Sequence, residues 1–161
     1  MIMEMTENYL QILSESLDRK IIILDELARL TEAQKEIAEA ETFDDTAFED
    51  NINRKAALVE EIEKLDEGFQ TLYDNVKGQI ENRREHYRGQ IAVRQDKIKQ
   101  VLDVSASLQV AEASNKRLIE SRFASMKKEI YQVRKSRDMA ASYYRTMNNI
   151  TADPYFMDKK Q

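Results

Sequence analysis

At 161 residues the chain has room for one domain or one elongated unit, and its 42% apolar and 34% charged residues suit a narrow seam between helices better than a thick interior with a deep catalytic pocket. Gly 3 and Pro 1 leave few places to turn, and Cys 0 excludes disulfides, thiolate metal sites and cysteine nucleophiles. The net charge of −5 conceals a division: residues 1 to 70 carry 19 acidic and 7 basic side chains, net −12, whereas residues 71 to 161 carry 11 acidic and 18 basic, net +7.

Two halves of opposite sign attract, and the simplest arrangement lays them side by side in one bundle. The first ten residues hold Glu4 and Glu7 and no basic residue, unlike a secretory signal. The longest plain apolar run, Ile21-Ile22-Ile23-Leu24, falls far short of the roughly 18 residues of a membrane span. A cytoplasmic protein with no direct membrane insertion is expected.

A first helix is predicted from about Thr6 to Ala40, where Leu10, Leu13, Leu17, Ile21, Leu24 and Leu27 advance in steps of three or four and trace one face. Thr42-Phe43-Asp44-Asp45-Thr46 then supplies a break and a new start. Asp44 suits an N-cap, Phe43 and Phe48 hold the two positions of a hydrophobic staple, and Thr46 with Glu49 offers a competing capping box. A second helix, over about 45–80, carries Phe48, Ile52, Ala56, Val59, Ile62, Leu65, Phe69, Leu72, Val76 and Ile80. The wholly polar Asn82-Arg83-Arg84-Glu85-His86, flanked by Gly78 and Gly89, marks a turn. From Ile91 the stripe resumes through Ile98, Val101, Leu108, Asn115, Ile119, Phe123, Met126, Ile130, Val133, Ala140 and Tyr144, giving one long third helix over about 90–147.

The expected fold is therefore all-α: an elongated antiparallel three-helix bundle or coiled coil, residues 1–147, with a long protruding C-terminal helix and a flexible tail, residues 148–161. Helices of about 35 residues reach roughly 53 Å, whereas 90–147 reaches roughly 87 Å at 1.5 Å per residue. Everything beyond about Ala124 would then project past its partners. That overhang carries Met126, Ile130, Val133, Ala140, Ala141, Tyr144 and Met147, interrupted by Arg137. A one-faced helix in water calls for a cover, so a partner helix is expected on it.

Other motifs carry less. His86, the only histidine, has Arg83 three residues before it, so it lacks the Glu-x-x-His of a di-iron bundle, and no serine has the histidine partner of a hydrolytic triad. Neither enzymatic activity nor a cofactor is expected. Asn115, on the apolar stripe, reads as a buried polar residue that fixes helix register. The basic residues Lys116, Arg117, Lys127, Lys128, Arg134 and Lys135 adjoin that stripe, but Glu120 and Glu129 interrupt them and the sequence pI is about 5.1, so an acidic protein partner suits this face better than nucleic acid. Tyr155-Phe156-Met157 in the tail reads either as a frayed end or as a short docking peptide.

The order of four segments resembles the flagellar type III export chaperones of the FlgN-like family. They are Asn53-Arg54-Lys55-Ala56-Ala57-Leu58-Val59 leading into Ile62 and Leu65; Leu108-Gln109, Glu112, Asn115-Lys116, Leu118-Ile119 and Phe123; Tyr143-Tyr144 with Met147; and the closing Phe156-Met157-Asp158-Lys159-Lys160. The chain lacks the Tyr-Gly-containing end of better-known members. The resemblance implies a chaperone that keeps the C-terminal helical region of hook–filament junction proteins unassembled and delivers them to the flagellar export apparatus. Cargo would then lie on Ile119, Phe123, Met126, Ile130, Val133, Arg137, Ala140, Tyr144 and Met147, and the export gate on Tyr144, Tyr155 and Phe156. The alternative is a homodimeric coiled-coil scaffold using the same stripe.

Overall fold

The structure is a computed structural model that describes residues 2–83, 86–126 and 130–151. Those residues form four α-helices and no strand: α1 (Ile2–Glu39), α2 (Asp45–Asn82), α3 (Arg88–Ser125) and α4 (Ile130–Thr151). Each long helix buries a row advancing by three and four. In α1 the row is Leu10, Leu13, Leu17, Lys20, Leu24, Leu27, Thr31, Gln34 and Ala38, and in α3 it is Ile91, Arg94, Ile98, Val101, the half-buried Val104, Leu108, Glu112, Asn115, Ile119 and Phe123. Such spacing keeps one face toward its neighbours along the whole rod.

The α1–α2 hairpin closes as its residues dictate. Asp44 Oδ1 accepts the Ala47 N–H at 3.0 Å, the Phe48 N–H donates to the Asp44 carbonyl, and the Phe43 and Phe48 rings pack with centroids 5.4 Å apart. Phe123 completes the aromatic cluster from α3. Beside it the Arg122 guanidinium donates to the carbonyls of Ala40 and Glu41 at 2.6 and 2.9 Å, satisfying acceptors that a helix end leaves open. At the opposite end Lys97 reaches Ser14 and Asp18. Thus α3 runs parallel to α1 and antiparallel to α2, and its basic residues meet α1 oxygen atoms at both ends.

The third helix is not one rod. It stops at Ser125, where Met126 turns to φ −78°, ψ 135° and its N–H reaches back to the Phe123 carbonyl, and a fourth helix begins at Ile130. Lys135 then pairs with Glu49, Tyr143 lies by Lys55, and Tyr144 reaches Gln34, so α4 runs back antiparallel to α3 and parallel to α2. Among the described residues no C-terminal helix protrudes from the bundle. The expectation failed because a continuous helix would leave Val133, Ala140, Tyr143, Tyr144 and Met147 in water, and all five are buried here. The large ones are worth about 2 kcal/mol each on transfer, which outweighs the few backbone hydrogen bonds broken at one chain reversal.

Around the bundle the contacts run α2–α1–α3 and α2–α4–α3, so α4 is wedged between α2 and α3 on the side opposite α1. Beyond the reach of α4 the molecule continues as three helices. There Lys20 pairs with Asp66 at 2.8 Å, and the Arg94 guanidinium lies 5.2 Å from the centre of the Tyr73 ring. Gly78 and Gly89 both sit inside helices, and the polar turn lies between Asn82 and Arg88. His86 is exposed there, 3.3 Å from Glu7, while Tyr87 is buried.

Candidate functional site

The place that stands out chemically is the seat of α4. Its floor is polar. Lys55 of α2 is fully buried and pairs with Glu112 of α3, and its ammonium also donates to Gln34 Oε1 of α1 at 3.3 Å. Asn115 donates to the Thr31 carbonyl at 2.7 Å and to Gln34 Oε1 at 3.1 Å, and the Thr31 hydroxyl lies 2.9 Å from Glu112 Oε1. From above, α4 sets the Tyr143 ring 4.5 Å from the Lys55 ammonium, and the Tyr144 hydroxyl donates to Gln34 Oε1 at 3.3 Å. One layer therefore draws a polar group from each of the four helices.

Burial dominates the electrostatics of this layer. It pulls the Lys55 pKa below its ordinary value, with Glu112 pulling back, and it raises both tyrosines far above theirs, assisted by the Glu112 charge. Satisfaction is incomplete: Gln34 Nε2 and Ser136 Oγ make no hydrogen bond with a described residue, whereas the Tyr143 hydroxyl faces the Glu112 carboxylate. A buried ion pair roughly offsets its own desolvation, and unpaired buried polar atoms cost on the order of 1–3 kcal/mol each. The wedge thus covers a layer whose polar demands are met in large part, but not completely.

Two open grooves flank α4. The α2 side, about 560 Å³, is lined by Ile52, Ala56, Val59, Met139 and Tyr143 with an acidic rim of Glu60, Glu63 and Asp138. The α3 side, about 400 Å³, has Ile119, Phe123, Ala140 and Tyr144 on its floor and Lys116, Arg137, Arg145 and Glu120 at its edge.

Of the residues expected to hold cargo, Ile119, Phe123, Val133, Ala140, Tyr144 and Met147 are buried, Met126 is half-buried and only Arg137 is exposed. They line an internal interface, with Ile119 and Phe123 on the α3 wall and the others on the wedge or the link into it. The Ile130 side chain, Tyr155 and Phe156 lie outside the described residues. Tyr144, expected at an export gate, is engaged with Gln34. Of the basic cluster, Lys116, Arg117, Arg134 and Lys135 are exposed, Lys135 pairs with Glu49, and Lys127 and Lys128 lie outside the described residues. Sequence reasoning gave no buried role to Lys55, Glu112, Thr31 or Gln34, although each falls on the step of three or four that its helix buries.

Among the described residues no group of three or more His, Asp or Glu side chains could hold a metal ion, and no helix is long and apolar enough to cross a membrane. Compared with models of protein families, with curated proteins and with solved structures, the chain matches none.

Proposed function

We propose that this chain is a helix-capture protein of the export-chaperone type, working in the cytoplasm, in which α4 occupies the cleft between α2 and α3 until a partner helix replaces it. The observation that carries the reading is the seat itself: a helix-wide gap between α2 and α3, filled by a segment that hangs on one non-helical link at Met126 and covers an ion pair whose polar surroundings it does not completely satisfy. A second helix with an apolar face fits the same walls, Ile52, Val59, Ile119 and Phe123. The resemblance to FlgN-like chaperones makes the C-terminal helices of hook–filament junction proteins the cargo to try first, with delivery to the flagellar export gate as the consequence. No bond is made or broken in such a cycle; exchange of one helix for another is the whole mechanism.

Covalent locking of α4 tests this. Glu49 and Lys135 face each other at 3.5 Å, and a chain without native cysteine accepts Glu49→Cys with Lys135→Cys and a short bis-maleimide without side reactions. The locked protein is expected to lose pulldown of a hook–filament junction C-terminal peptide, and the uncross-linked double cysteine variant to retain it. Val133→Asp, which disfavours the seated wedge, is expected to strengthen capture, whereas a helix that itself grips cargo would be weakened by the same change. Unaltered capture by the locked protein contradicts the proposal. A dimer formed by the chain alone and abolished by the lock would favour the scaffold reading.

A further inference from the structure

The α3–α4 groove has a property that helix exchange does not use, since it exists only while α4 is seated. Lys116 on α3 and Arg137 and Arg145 on α4 are exposed around it, and none of the three takes part in an ion pair with another described residue. Three cations face one carboxylate, Glu120, across a floor made by the buried side chains of Ile119, Phe123, Ala140 and Tyr144. The other flank of α4 is its electrostatic opposite, with Glu60, Glu63 and Asp138 and no cation in its lining.

We infer that the α3–α4 groove is a docking site for an acidic amphipathic helix of another protein, one that places an apolar side chain or two between α3 and α4 and a carboxylate on each of Arg137 and Arg145. Those two arginines stand eight residues apart on one helix, about 12 Å along its axis, so the partner carries its carboxylates seven or eight positions apart with apolar residues between them. Glu120, on the same groove, disfavours a further carboxylate beside it and with it a regularly charged polyphosphate chain. The acidic groove across α4 repels the same segment, so the partner has one flank open to it. Unpaired cations on the edge of an apolar floor speed encounter and select sign, while the floor supplies the residence time.

The probe is a fluorescein-labelled synthetic helix of about 14 residues, four turns, with leucines on one face and glutamates seven apart beside them, together with a twin bearing lysine for glutamate. Fluorescence anisotropy with the full chain is expected to show at least tenfold tighter binding of the acidic helix, at least tenfold weakening by Arg137→Glu with Arg145→Glu, and loss of the preference as salt rises. The chain cross-linked between positions 49 and 135 is expected to bind the acidic helix undiminished, which separates this site from the helix-exchange cleft: failure of exchange leaves this result standing, and the reverse also holds. Equal binding of the lysine twin, indifference to the double reversal, or loss of binding on locking α4 would each overturn the inference. So would a dimer of the chain alone that the reversal dissolves, since the occupant would then be the acidic half of a second copy.

Discussion

A lysine with no exposed surface, Lys55, sits at the meeting point of four helices and is tolerable there only because Glu112 and Gln34 are within reach. Glu112→Leu strands that charge, and chemical denaturation is expected to show a loss of about 3–5 kcal/mol, while Lys55→Met with Glu112→Leu returns to within about 1 kcal/mol of the parent or exceeds it. The deficit of the single variant has a pH signature. With its pKa below the ordinary 10.5 in the fold, Lys55 binds fewer protons folded than unfolded, so the deficit is largest at neutral pH and shrinks as pH rises. The tyrosines act oppositely. Burial, then Glu112, raises Tyr143 and Tyr144 above the ordinary value of 10.0, so the unfolded chain releases their protons first and stability falls as pH climbs past about 10. Spectrophotometric titration is expected to show these two ionising last and together with loss of helicity, and Tyr143→Phe with Tyr144→Phe to move that alkaline transition upward. Two tyrosinates forming without loss of helicity would contradict their burial under α4.

At the scale of elements, the hairpin was legible because local chemistry decides it: a capping aspartate, two staple phenylalanines and a helix former on either side need no tertiary information. The turn after Asn82 was legible from a polar gap. The end of α3 was not, since Ser125-Met126-Lys127-Lys128-Glu129 contains neither glycine nor proline, and every residue in it tolerates a helix. What breaks the rod is the gain from burying the next apolar row, a long-range effect invisible to local punctuation. The polar layer was hidden differently. Following only apolar residues passes over Thr31, Gln34, Lys55 and Glu112, whereas following the step of three or four regardless of residue type reaches all of them. If α4 is an added wedge on a self-sufficient trio, a chain ending at Met126 is expected to remain cooperatively folded, with helicity lowered only by the share of α4 and a midpoint lowered by a few degrees. Collapse of that chain to an unfolded state would show the wedge to be integral.

For the whole molecule, the opposite charges of the two halves are partly spent internally, in Lys97 with Asp18, Lys135 with Glu49, and Arg122 on the end of α1. What remains outside is sorted by flank, acidic on the α2 side of α4 and basic on the α3 side. Helix exchange requires α4 to leave its seat while α1, α2 and α3 stay together. Native-state hydrogen exchange reads that motion directly. The amides of residues 133–147 are expected to exchange as one group through an opening several kcal/mol cheaper than that exposing Leu13, Leu24, Ile62 and Val101, with an unchanged denaturant dependence in the three long helices. Exchange of α4 in step with those core amides, at the full free energy of unfolding, would mean that the wedge never leaves on its own and that helix exchange is not what this protein does.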